Sequence, residues 1–120
     1  MKPNLLFLYT DEQAFDTLAA YGNRGIQMPN LDRLAAHSVV FDEAYVTQPV
    51  CTPSRSTLLT GLYPHTSGMT ENNLQLNADI PCLPEMIADR DYVSGHFGKW
   101  HLGDELFAQH GFKEWISIED

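Results

Sequence analysis

Apolar residues along the chain fall into short blocks separated by turn formers. Asn4-Leu5-Leu6-Phe7-Leu8-Tyr9-Thr10 runs apolar without alternation and is closed by Asp11, the pattern of a strand covered on both faces. Residues 13–20 carry a short helical pattern, and Tyr21-Gly22-Asn23-Arg24-Gly25 is a turn. From Pro29, Leu31, Leu34 and Ala35 recur at i, i+3 and i+4, with Asn30 as the expected N-cap of an amphipathic helix ending near His37. Val39 to Thr47 reads as a second extended stretch, ended where Gln48-Pro49 forces the backbone out of helical conformation. Thr52 as N-cap, Pro53 at the first helical position and Gly61 as the stop predict a helix to Thr60, with Cys51 just ahead of it. Residues 62–81 show neither period, and so long a connection is expected to serve function or to cover something. Leu83, Met86, Ile87 and Arg90 mark a further helix, and Tyr92 to Phe97 a further strand.

Strands alternating with helices imply an α/β fold with a mostly parallel sheet and helices on both faces. In such sheets chemistry collects beyond the carboxyl ends of the strands. Asp11, Cys51 and the pair Lys99 and His101 each follow an expected strand, so three chemical clusters are expected along one sheet edge.

Size and charge narrow the partners. A chain of 120 residues is read as one domain, spanning 1–120, with enough burial for a single core. Its net charge of −9 and the absence of a basic run argue against nucleic acid. An acidic protein repels anionic substrates at long range, so an anion would have to be held by local cations or a metal. The apolar opening after Lys2 is too short for a signal core or a membrane span. A cytoplasmic location is expected as written, or export if a signal has been removed. Cys51 and Cys82 could pair but form no dense disulfide framework.

Cys51-Thr52-Pro53-Ser54-Arg55-Ser56-Thr57-Leu58-Leu59-Thr60-Gly61 fits the pattern C-x-P-S-R-x-x-x-L-T-G at all seven specified positions. Residue usage makes such a chance match rare, on the order of once in ten million chains of this length. The segment resembles the signature of the type I sulfatases, in the alkaline phosphatase superfamily. Gly98-Lys99-Trp100-His101-Leu102-Gly103 resembles that family's second signature, and Gln109-His110-Gly111-Phe112-Lys113-Glu114-Trp115 a downstream segment. Thr10-Asp11-Glu12-Gln13 is similar to its first metal-ligand pair, usually two aspartates, with Glu12 one methylene longer.

The resemblance implies an alkaline-phosphatase-like fold, of which this chain would be the amino-terminal part. It implies that Cys51 is converted by a formylglycine-generating enzyme to formylglycine, whose hydrated diol is the nucleophile on sulfur. Arg55 would hold that residue, Lys99 the sulfate oxygens, and His101 would assist release of sulfate. Asp11, Glu12 and residue 51 would ligate a divalent cation. Hard oxygen donors suit Ca²⁺, with Mg²⁺ or Mn²⁺ as alternatives. The expected substrate is a small sulfate ester or a sulfated carbohydrate, with no nucleic-acid or membrane partner. Family members run to several hundred residues and complete the metal site well past position 120, so this stretch alone is expected to turn over little. Two other readings stand beside this one: a phosphate or phosphonate monoester hydrolase of the same superfamily, and a non-catalytic truncated domain.

Overall fold

A computed structural model describes residues 2–87 and 91–118. The chain divides into two compact units, Met1–Ala44 and Tyr45–Asp120. Among the described residues no helix is long and apolar enough to cross a membrane.

The first unit is lightly built. Two 3-10 turns, Phe15–Thr17 and Ala19–Tyr21, replace the helix expected over 13–20. The extended backbone of Leu18 interrupts them, and Gly22 closes the second in the left-handed region. Asn23 then secures the turn, accepting from the Gly25 and Ile26 N–H groups while its amide donates to the Asp16 carbonyl. Helix α1 spans Pro29–Ala35, with Met28 rather than Asn30 at the N-cap. Proline at the first helical position explains that early start, because its missing N–H is not needed there. The runs 4–10 and 39–47 belong to no strand, and Leu6 is 80% exposed. Strands form by pairing, and no described segment offers these two a partner.

The second unit holds the core. Helix α2 spans Cys51–Thr60 and ends at Gly61, whose φ of +71° is a left-handed conformation that a side chain would oppose. Helices α3, Pro64–Ser67, and α4, Leu83–Met86, are single turns. The helix expected over 83–90 therefore stops early at extended Ile87, and Arg90 lies outside the described residues. Strands β1, Gly95–Lys99, and β2, Glu114–Ile118, pair in parallel with Gly95 opposite Glu114 and Lys99 opposite Ile118. The β1 strand begins later than Tyr92, and β2 was not marked by the sequence reading.

Met69, Leu76, Cys82, Trp100 and Leu102 form the buried cluster, with Leu59, Phe112 and Trp115 packed against it. Met69 and Leu76 come from the irregular stretch 62–81, so that stretch does cover something: it roofs Trp100 and Leu102. A backbone bond from Leu76 N–H to the Leu102 carbonyl, 2.9 Å, fixes it there.

Candidate active site

Cys51 is the first residue of α2, half-buried, with Val50 as an N-cap lacking a side-chain bond. It is thus inside the helix by one residue, not just ahead of it. An uncapped helix start ordinarily presents several unpaired N–H groups to an anion. Here most are occupied or missing: Thr52 N–H donates to Asn72 Oδ1 at 3.0 Å, Pro53 has none, and Ser54 N–H donates to the Val50 carbonyl at 3.0 Å. An anion at Cys51 would therefore be held chiefly by the helix dipole and neighbouring cations.

Side-chain bonds from α2 fasten the second motif to the first. Buried Thr52 donates through Oγ1 to the His101 carbonyl, 2.9 Å. Arg55, also buried, donates through Nη1 to the Lys99 carbonyl, 2.7 Å. The guanidinium so joins the middle of α2 to the last residue of β1. Burial of Arg55 also removes it from the class of surface ion pairs.

His101 adopts φ +56°, in the left-handed region where a non-glycine backbone costs of order 1–3 kcal/mol. Three contacts hold it: its N–H donates to Glu105 Oε1 at 2.6 Å, its carbonyl receives Thr52, and its Nε2 lies 3.1 Å from Asn73 Oδ1. An amide oxygen only accepts, so that contact places the proton of a neutral ring on Nε2. Nδ1 then carries a lone pair, and it is buried without a hydrogen-bond partner among the described residues. Glu105 organises the far side of this turn, its carboxylate also accepting from Trp100 N–H and Ser117 Oγ and its carbonyl from Trp115 Nε1.

His96 packs edge-on or tilted against Trp100, Phe112 and Trp115 and contacts the Gly98 carbonyl at 3.0 Å. Burial lowers its pKa below the ordinary 6.5; the Gly98 carbonyl and Glu105 oppose that shift, and Arg55 adds to it.

Residues Cys51, Arg55, Lys99 and His101 thus all belong to the second unit, and bonds through Thr52 and Arg55 tie the two motifs. Asp11 and Glu12 belong to the first unit, both exposed, with Glu12 at φ +54°. Asn72, Asn73 and Glu105 were not singled out from the sequence. The asparagines do lie in the aperiodic stretch whose length marked it as functional.

The sulfatase family model matches residues 3–120. The chain belongs to the sulfatase family. Among curated sulfatases, it is 35% identical over 114 residues to N-acetylglucosamine-6-O-sulfatase of Bacteroides thetaiotaomicron, covering 95% of this chain and 20% of that protein. It is 39% identical over 130 residues to human N-acetylgalactosamine-6-sulfatase, covering 95% of this chain and 25% of that protein. Among solved structures, BT4656 in complex with its substrate D-glucosamine-2-N,6-O-disulfate superimposes with a TM-score of 0.86 at 34% identity, over 96% of this chain and 23% of that one. The yidJ protein of Bacteroides fragilis gives 0.74 at 27% identity, over 85% and 28%. The fold is therefore the α/β sulfatase fold. The chain spans a fifth to a quarter of the length of these curated relatives.

Proposed function

We propose that this sulfatase segment carries the nucleophile-bearing part of a sulfuric ester hydrolase acting on a sulfated carbohydrate, and that residues 1–120 are the amino-terminal part of its catalytic domain. The carrying observation is the 2.9 Å bond from Thr52, next to the nucleophile position, to the backbone of His101. It joins the two motifs, and fixed placement is what nucleophilic catalysis requires. The sugar assignment rests on the relatives, whose names specify sulfated amino sugars.

In this reading Cys51 is matured to formylglycine by a dedicated enzyme. One oxygen of the hydrated aldehyde forms the new bond to sulfur, and the bond from sulfur to the substrate alcohol breaks, the alcohol leaving with a proton. The second hydroxyl then gives up its proton as the carbon–oxygen bond to sulfate breaks and the aldehyde reforms. His101 Nδ1 is the lone pair suited to take that proton, since Asn73 fixes the tautomer. Lys99 supplies positive charge for the sulfate oxygens. Arg55 acts by positioning, through the Lys99 carbonyl.

The donor set suits a hard divalent cation, Ca²⁺ first among them, since Asp11 and Glu12 offer adjacent carboxylates. When bound, such a cation would supply Lewis acidity.

The test is hydrolysis by a full-length protein containing this chain, matured at residue 51, offered a 6-O-sulfated amino sugar, an aryl sulfate and an aryl phosphonate. Sulfate release that is lost in C51A and falls at least about a hundredfold in H101A supports the proposal. Preference for the phosphonate, or unchanged sulfate release in C51A, overturns it.

A further inference from the structure

A second cluster of metal-ligating side chains lies outside the proposed active site. Cys82 Sγ, a Glu85 carboxylate oxygen and a His110 ring nitrogen all lie within 4.8 Å of one another. We propose that Cys82, Glu85 and His110 form a site for a thiophilic divalent ion of the zinc class, independent of the hard-cation site read from Asp11 and Glu12.

The residues arrive from two directions and are held firmly. Cys82 is the N-cap of α4 and fully buried, and its backbone N–H donates to Glu85 Oε2 at 2.9 Å. That bond turns the Glu85 carboxylate back toward the cysteine. His110 reaches the cluster from a turn in which it and Gly111 both take left-handed φ values, +49° and +82°. The turn is pressed on α4 so closely that a Cβ added to Gly111 would meet Glu85 Cγ at 2.6 Å.

Cys82 and Glu85 already share a capping box, the Glu85 N–H on the thiol and the Cys82 N–H on the carboxylate, which leaves the His110 ring as the unsatisfied member of the cluster. The His110 side chain is 3% exposed, and its Nδ1 is buried without a hydrogen-bond partner among the described residues. Its neighbour, Glu85 Oε2, stands at 3.8 Å, too far for a hydrogen bond. A buried imidazole nitrogen facing a carboxylate and a thiol is the sort of unpaired polar group that calls for a ligand. A tetrahedral ion with sulfur at about 2.3 Å and nitrogen or oxygen at about 2.0–2.1 Å needs ligand atoms roughly 3.4–3.6 Å apart. The ligand atoms now stand up to 4.8 Å apart, so binding draws them together by up to roughly 1.2–1.4 Å, shared between Glu85, exposed on a one-turn helix, and the turn that carries His110.

Three protein ligands leave the fourth position to water. Cys, His and Glu together favour zinc over calcium or magnesium, because sulfur and imidazole are soft or borderline donors. The cost is deprotonation of Cys82, which burial and Glu85 oppose; the charge of a bound cation would offset that cost.

Co²⁺ titration of the full chain carrying Cys51→Ala decides the matter, because the chain has two cysteines and Cys82 is then its sole thiol. The expected result is saturation at one ion per chain, with the near-ultraviolet thiolate-to-cobalt band, displaced by stoichiometric Zn²⁺ and untouched by excess Ca²⁺. Adding His110→Gln should weaken binding by more than the roughly tenfold that loss of even an outer-shell partner costs. No thiolate band in Cys51→Ala at millimolar Co²⁺ overturns the site, whatever the second variant does. A band that Ca²⁺ removes would overturn it equally. Neither result bears on sulfate release, so the two proposals fail separately.

Discussion

The two units treat their apolar residues in opposite ways. In Tyr45–Asp120, Trp100, Leu102, Met69 and Leu76 are buried, and so are the polar Thr52, Ser56, Thr60 and Ser67. In Met1–Ala44, no residue of the turns or of α1 is buried, and Leu5, Leu6, Phe7 and Leu8 are all more than half exposed. The difference follows from how each is fastened. The second unit is locked by side chains bonding to distant backbone, as Thr52 does to His101 and Arg55 to Lys99. The first unit instead carries an apolar run, 4–10, that belongs to no strand, and such a run is stable as one only when neighbours pair with it and cover it. The motifs that carry chemistry thus bring much of their own scaffold, while the opening strand pattern does not.

The sharpest way to expose this contrast is truncation in each unit. Trp100→Ala should destabilise the second unit by about 3–5 kcal/mol, whereas Phe7→Ala should change stability by no more than about 0.5 kcal/mol. Both tryptophans, Trp100 and Trp115, lie in the second unit, so denaturant unfolding followed by tryptophan fluorescence reads that unit, through Trp115 in the variant. A large loss for Phe7→Ala by the same readout would break the comparison.

Next in size is the bond between motifs. Thr52→Val keeps the shape of the side chain but strands the His101 carbonyl, and about 1–3 kcal/mol of stability should be lost; Thr52→Ser should recover most of it. Equal losses for valine and serine in chemical denaturation would show that packing, not the hydroxyl, ties the motifs. Gly61→Ala is expected to cost about 1–2 kcal/mol, because φ +71° opposes a Cβ even though nothing crowds the position.

A smaller effect comes from His96. Its pKa is lowered in the folded chain, so below about 6.5 the unfolded state takes up the proton more readily. Stability contributed by the neutral ring is present above that value and is lost as pH falls through the window beneath it. His96→Phe, which keeps an aromatic ring among Trp100, Phe112 and Trp115, should flatten the decline seen in melts between about pH 7 and 5. An unchanged slope would place the sensitivity elsewhere.

The pattern in the chain predicted α2 best, since Pro53 and Gly61 are local punctuation that needs no tertiary partner. It placed β1 a few residues early and missed β2, although Trp115-Ile116-Ser117-Ile118 alternates: Trp115 and Ser117 are half-buried while Ile116 and Ile118 are exposed. Its two isoleucines face away while a serine faces in, the reverse of the usual signal. The runs 4–10 and 39–47 read as strands because their composition is right; pairing, which composition cannot supply, is what they lack here. In the candidate site, Cys51, Arg55, Lys99 and His101 were legible from two motifs. Asn72, Asn73 and Glu105 were not, because amides and carboxylates in irregular segments acquire meaning only from the backbone groups they meet.

The central claim is that position 51 is presented as a nucleophile rather than kept as a core thiol. Expression alongside a formylglycine-generating enzyme, followed by mass spectrometry of the tryptic peptide 34–55, tests it directly. The account predicts that sulfur is lost from residue 51 and oxygen gained, while Cys82 in its own peptide keeps its sulfur. An intact Cys51 thiol under those conditions would contradict it.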